Sequence, residues 1–160
     1  MVGPNADQPL PPPNGFLSAK IDEKGRLKLP SKLEEYFIGL GARTLFITSL
    51  DRTSVRVYTP PAWQETKLLL TSGQVDRAKG RDLLFAANDV GGDSDMDAQG
   101  RVLIPQKLRT LLSLENQTVQ IECHPGMVNI YTQTRYDTRL AVAVDHLEDK
   151  FNTLQEQGLP

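Results

Sequence analysis

The sequence predicts an α+β fold, rich in β structure, built from two tandem copies of one unit. The first observation is an internal repeat. Residues 22–33 read Asp-Glu-Lys-Gly-Arg-Leu-Lys-Leu-Pro-Ser-Lys-Leu, and residues 97–108 read Asp-Ala-Gln-Gly-Arg-Val-Leu-Ile-Pro-Gln-Lys-Leu. Aligned without a gap at an offset of 75 residues, from Asp22 to Asp97, their Asp, Gly, Arg, Pro, Lys and Leu are identical. Val55-Arg56-Val57-Tyr58 then matches Val128-Asn129-Ile130-Tyr131, and Trp63 falls where Tyr136 does, both at an offset of 73. Order and spacing kept over that length mark a whole structural unit, with two residues lost in a loop. The second observation is short alternating segments broken by turn residues. The third is a set of proline-initiated helices and a long apolar stripe near the C-terminus.

In the first unit, Phe16 to Ile21 alternates, with Leu17, Ala19 and Ile21 on one face, as in a half-buried strand. Asp22 to Gly25 is turn chemistry, with Gly25 suited to positive φ. Arg26 to Leu29 is a second strand, burying Leu27 and Leu29. Pro30 opens a short helix, because its missing N–H is not needed there. The helix runs to about Phe37, and Gly39 and Gly41 stop it. Leu45 to Thr48 and Val55 to Tyr58 are further strands. Pro60 and Pro61 start a helix carrying Trp63.

Gln74 to Asn88 is a connecting helix, weakened by Gly80. The second unit then repeats the first. It has a strand at Gly92 to Met96, a turn at Asp97 to Gly100 and a strand at Arg101 to Ile104. A short helix at Pro105 to Leu112 and strands at Thr118 to Glu122 and Val128 to Tyr131 follow. The organisation is therefore an arm at 1–14, repeats at 15–73 and 89–133 around a connecting helix at 74–88, and a C-terminal helix and tail at 134–160.

That last helix spans about Thr134 to Gln155. Tyr136, Leu140, Val144, Leu147, Phe151 and Leu154 recur along it in a heptad-like stripe. The stripe fits this domain's own core, which is the preferred reading, or a seam against a neighbouring subunit. Residues 1–14 carry five prolines and read as a disordered, partly polyproline-II arm. They lack the basic and apolar regions of a signal peptide. No apolar run approaches the ~18 residues of a membrane span.

The chain has 160 residues, enough for one ordinary domain with its own core. Eighteen Lys and Arg against twenty Asp and Glu give a net charge of −2, so any nucleic-acid binding needs a local basic patch. A single cysteine excludes an internal disulfide and a Cys-rich zinc module, and it suits a reducing cytoplasm.

The patch falls at the first turn. Alternation puts Arg26 and Lys28 opposite Leu27 and Leu29, and Ser18 and Lys20 opposite Leu17 and Ala19. With Lys24 at the turn, Lys20, Lys24, Arg26 and Lys28 converge on one exposed hairpin ribbon. From Lys20 to Lys32 there are five basic and two acidic residues. A two-stranded ribbon fits the DNA major groove, arginine pairs with guanine, and lysines neutralise phosphates. Asp22 is placed to hold the Arg26 side chain in register. Taken alone, the hairpin also reads as an ordinary solvated strand face. The second copy presents Asp93, Asp95 and Asp97 with Arg101, so Arg26 dominates and Arg101 is secondary or structural.

The Asp93, Asp95 and Asp97 run is not a calcium loop. Ala98 stands where that loop needs glycine, and Ile104 where it needs glutamate. Cys123 and His124 are adjacent on a strand and point to opposite faces, against a shared metal or a nucleophile pair. No phosphate-binding glycine loop follows a strand. No catalytic constellation, metal or cofactor is predicted.

The two Asp-x-x-Gly-Arg turns followed by Pro-x-Lys-Leu, with Asp51, Val55-Arg56-Val57-Tyr58 and Trp63, resemble the MraZ family of transcriptional regulators. The resemblance covers about Gly15 to Tyr136. It implies two AbrB-like swapped-hairpin half-domains interleaved into one pseudo-symmetric small barrel. It implies cytoplasmic, nucleoid-associated bacterial regulators that form closed ring-like homo-oligomers. They bind short direct repeats in double-stranded DNA at the division and cell-wall gene cluster, including their own promoter. The DNA-contacting arginine falls on Arg26 within Asp22 to Arg26, with Gly25 structural. The second motif maps onto Asp97, Gly100 and Arg101. Glu34 stands where the family usually has arginine, whereas the second copy keeps Arg109. That exchange touches a phosphate contact. Asn129-Ile130-Tyr131 replaces the common Glu-Ile-Trp ending. Ring symmetry would set equivalent ribbons side by side, matching sites about 10 bp apart and binding by combined weak contacts. The alternative is an oligomeric protein-interaction scaffold with little DNA binding, favoured by Glu34 and the acidic second face.

Overall fold

The protein was described from a computed structural model, which places residues 10–160. The expectation of disorder for residues 1–9 lies outside the described residues. The rest of the arm lies against the body, where Leu10, Pro11 and Pro12 share a cleft with Tyr36, Leu40 and Pro61.

The first repeat comprises β1 (Phe16–Lys20), β2 (Arg26–Lys28), α1 (Ser31–Gly39), β3 (Thr44–Thr48) and β4 (Val55–Tyr58). Helices α2 (Pro60–Thr71) and α3 (Arg77–Val90) follow. The second repeat comprises β5 (Gly92–Asp95), β6 (Arg101–Leu103), α4 (Gln106–Leu112), β7 (Thr118–His124) and β8 (Met127–Thr132). Helices α5 (Gln133–Val144) and α6 (Leu147–Glu156) complete the chain.

The strands form an antiparallel six-stranded sheet, ordered β1-β7-β8-β4-β3-β5, and a separate two-stranded ribbon of β2 and β6. Each repeat lends its first strand to the other. β1 pairs with β7, with Leu17 opposite Ile121, and β5 pairs with β3, with Ser94 opposite Leu45. The halves meet where β4 pairs with β8. The sheet stays open, so the closed barrel is corrected. Its end strands β1 and β5 do not meet, because the short strands β2 and β6 pair with each other rather than bridging them.

A second correction concerns the hairpin. β1 and β2 share only an isolated bridge, Ile21 to Leu27, instead of forming a ribbon. Alternation fixes which face a strand buries, and Leu27 and Leu29 are buried accordingly. It does not fix the partner that supplies its hydrogen bonds.

The main core gathers Ile21, Leu27, Leu29 and Phe37 from the first repeat with Val102, Ile104, Leu108 and Ile121 from the second. A smaller cluster joins Tyr58, Trp63 and Ala87, with Phe46 stacked on Trp63 at a centroid distance of 4.5 Å. Gly80 has a packing reason. A Cβ there would overlap the Leu70 carbonyl, so glycine lets α3 close on α2. The connecting helix starts at Arg77 rather than Gln74, because Asp76 caps it by accepting from the Lys79 N–H at 3.1 Å.

The single long C-terminal helix is also corrected. The chain turns between α5 and α6, where Asp145 is extended and His146 is left-handed at φ 51°. Lys150 Nζ donates to the carbonyl oxygens of Val142 and Ala143 at 3.3 and 3.4 Å, satisfying the end of α5. Glu148 and Asp149 favour the start of α6. The apolar stripe does not face the core. Leu140, Val144, Leu147, Phe151 and Leu154 are all exposed.

Candidate nucleic-acid interface

The two repeated turns are built alike, atom for atom. In turn 1, Asp22 Oδ1 accepts from the backbone N–H of Lys24 and of Arg26, both at 2.9 Å. Its Oδ2 accepts from Arg26 Nε at 2.8 Å. In turn 2, Asp97 Oδ1 accepts from the N–H groups of Gln99 and Arg101 at 2.9 Å, and Oδ2 from Arg101 Nε at 2.8 Å. Gly25 and Gly100 take φ of 82° and 73°, which explains glycine at both positions. The backbone N–H from Arg26 holds the Asp22 carboxyl below its ordinary range, opposed by partial desolvation and helped by the Arg26 side chain. Arg101 does the same to Asp97, in the same order of causes.

The ribbon joins the turns. Arg26 lies opposite Leu103, Leu27 opposite Val102, and Lys28 opposite Arg101. Leu27 and Val102 point into the core. Arg26, Lys28, Arg101 and Leu103 therefore share the outer face. The ribbon continues at both ends, because the Leu29 N–H donates to the Gly100 carbonyl and the Ile104 N–H to the Gly25 carbonyl, each at 2.9 Å. The turns sit at its opposite ends.

Of the residues predicted to face DNA, Lys24, Arg26 and Lys28 lie on turn 1 or the ribbon, and Arg101 lies on turn 2. Lys20 does not join them on a hairpin. It ends β1 in the large sheet, opposite Thr118. Lys28 is engaged within the protein. Its Nζ donates to the Gln99 carbonyl and lies 3.6 Å from Glu34 Oε2.

Two further residues brace the turns. Arg109, on α4, donates from a terminal guanidinium nitrogen to the Lys24 carbonyl at 2.8 Å and lies 3.6 Å from Glu115. Its side chain is only 17% exposed, and it fills the space where a Cβ at Gly25 would stand. Its Nε is buried without a hydrogen-bond partner among the described residues. Glu34, on α1, holds the equivalent place beneath Gly100. Arg109 thus supports the turn of the opposite repeat. The signal was present in the sequence. Glu34 and Arg109 are separated by the repeat offset, and so are Lys28 and Leu103.

Cys123 packs against the core, and burial pushes its thiol pKa up. His124 lies 3.0 Å from Glu122. Among the described residues no group of three or more His, Cys, Asp or Glu could hold a metal ion.

A duplicated Asp-x-x-Gly-Arg turn joined by a shared ribbon narrows the comparison with known proteins. A transcriptional regulator MraZ from Desulforamulus reducens is 31% identical over 142 residues, covering 89% of this chain and 94% of the relative. The chain belongs to the MraZ family. The MraZ family model, described as "MraZ protein, putative antitoxin-like", matches residues 93–156, which take in the second repeat from its first strand and both C-terminal helices. The MraZ regulator of Thermomicrobium roseum is 32% identical over 113 residues, 69% of this chain and 75% of its own. That of Thiobacillus denitrificans is 24% identical over 135 residues, 84% of this chain and 90% of its own. No helix among the described residues is long and apolar enough to cross a membrane.

Proposed function

We propose that this protein is a sequence-specific DNA-binding transcription regulator that contacts double-stranded DNA through turn 1. The observation that carries the reading is the held arginine. Arg26 is clamped at Nε by Asp22, and no hydrogen bond from its terminal nitrogens is present among the described residues. A guanidinium fixed at one edge and open at the other is pre-organised for bidentate contact with guanine or phosphate. Lys24, exposed at the turn tip, adds phosphate attraction. The relatives' shared name, transcriptional regulator MraZ, supports the same reading.

The target class is short promoter direct repeats, those of the division and cell-wall gene cluster and of the protein's own gene. The protein works on the nucleoid in the cytoplasm as a closed ring-like homo-oligomer. The exposed stripe Leu140, Val144, Leu147, Phe151 and Leu154 supports assembly, since a face of this kind is stabilised by covering it. Each half-domain is read as an AbrB-like swapped hairpin, supported by the exchange of first strands between repeats. The chemistry is binding, without catalysis or cofactor.

The test is fluorescence anisotropy with DNA from upstream of the gene and a scrambled control, for wild type and Arg26→Ala. Wild type should prefer the native DNA, and Arg26→Ala should lose the preference while keeping its oligomer. If neither protein prefers that DNA at low salt, the scaffold reading replaces this one.

A further inference from the structure

We propose that Glu34 is a selector that switches off turn 2, leaving one DNA-reading turn per subunit. The inference rests on the DNA-binding reading of turn 1 and names what makes the two turns unequal. The turns themselves are superimposable in their hydrogen bonds, so Asp-x-x-Gly-Arg alone cannot distinguish them. The difference lies beneath them.

Turn 1 rests on a cation. The Arg109 guanidinium holds the Lys24 carbonyl and adds positive charge under Lys24 and Arg26. Turn 2 rests on a carboxylate, because Glu34 fills the same place under Gly100. The carbonyl equivalent to that of Lys24 belongs to Gln99, and it also needs a donor. Lys28 supplies it while pairing with Glu34. The exchange is reciprocal. The Arg109 position has become acidic in the first repeat, and Lys28 stands where the second repeat has Leu103. The geometry of turn 2 is preserved, while the brace beneath its glycine changes from a guanidinium beside Glu115 to a carboxylate beside Lys28.

Two electrostatic consequences follow. Glu34 repels a phosphate approaching Arg101, and it holds Lys28 away from DNA. The strand leading into turn 2 adds exposed Asp93 and Asp95, whereas the strand leading into turn 1 carries Lys20 at the position equivalent to Asp95. Lys28 acts as a positioning residue for turn 2.

The test is a mutant cycle. Arg26→Ala and Arg101→Ala are each made in wild-type, Glu34→Gln and Glu34→Arg backgrounds. Affinity for the upstream DNA and its salt slope are measured by anisotropy, with circular dichroism and light scattering confirming fold and oligomer. In wild type, Arg26→Ala should weaken binding by about tenfold or more, the scale of a lost bidentate contact, and Arg101→Ala by less than about twofold. Glu34→Gln keeps the side chain's shape without its charge and should raise affinity. Glu34→Arg should raise it further and steepen the salt slope by about 0.9 for each phosphate gained. In both backgrounds Arg101→Ala should become costly. A merely structural Glu34 would not create that dependence. If Arg101→Ala costs the same in all three backgrounds, or matches Arg26→Ala in wild type, the selector is overturned while DNA binding stands. If wild type does not bind the DNA at all, the DNA-binding reading falls and the selector falls with it. If Glu34→Arg fails to fold, the Glu34→Gln pair decides alone.

Discussion

Glu34 and Arg109 occupy the same position in the two repeats, carry opposite charges, and each packs beneath the turn glycine of the other repeat. The two halves are therefore cross-braced. Helix α1 supports turn 2, and α4 supports turn 1. A change in either helix reaches the opposite turn without passing through the core.

The braces make the turn glycines unequal to others with the same backbone. Gly25→Ala meets both a positive φ and the Arg109 side chain. Gly41→Ala meets a similar φ, 74°, with nothing within 4 Å. Gly41→Ala should cost about 1–2 kcal/mol, the left-handed penalty alone. Gly25→Ala should cost more, because Arg109 must also move. Urea denaturation of both variants gives the difference directly.

The smaller cluster depends on one ring. Trp63 stacks on Phe46 and lies 5.0 Å from Tyr58, ring to ring. Trp63→Ala should destabilise the protein by about 3–5 kcal/mol, the usual cost of emptying a buried aromatic site. It should act through the packing of α2 on the sheet and leave turn 1 in place. Urea midpoints should fall, while native DNA preference persists under folding conditions.

Acid should loosen the turns. The Arg26 backbone N–H depresses the Asp22 carboxyl, the Arg101 N–H depresses that of Asp97, and the Lys107 side chain leads the effect on Asp89. A carboxylate whose folded pKa lies below its unfolded value binds fewer protons when folded, so acid favours unfolding. Its contribution is complete above the ordinary value of 3.8 and is lost as pH falls through the depressed folded value. Stability should therefore drop as the pH falls below about 4, and Asp22→Asn with Asp97→Asn should flatten that drop. Urea midpoints across the range measure it.

The exposed stripe on α5 and α6 should report on assembly. Phe151→Glu places a charge in the middle of α6 without touching either core cluster. Light scattering should show a smaller species, with the circular dichroism spectrum unchanged. DNA affinity should fall with it, because linked weak contacts lose their effective concentration when the oligomer separates. An unchanged mass would remove the stripe from the interface.

Much of the structure was written in local patterns. The Asp-x-x-Gly-Arg turns, the proline that ends each ribbon strand, the burial of Leu27 and Leu29, and the helix start at Pro60 all follow from short-range chemistry. A turn needs positive φ at one residue and a carboxylate within reach of nearby N–H groups, and both requirements are local. The side-chain clasp of Arg26 by Asp22 was legible for the same reason.

Strand and side-chain partners came from long-range contacts. Alternation told β1 which face to bury, yet β7 and not β2 supplied its hydrogen bonds, because a strand edge pairs with whichever edge the whole chain brings to it. The stripe from Tyr136 to Leu154 kept its period across a corner at Asp145 and His146, since periodicity does not register a single left-handed residue. Lys28 looked like a free cation on a solvated face. It became a structural donor because the long-range fold placed Gln99 and Glu34 beside it. Local sequence set the shape of each turn, and contacts between repeats set the charge each turn presents.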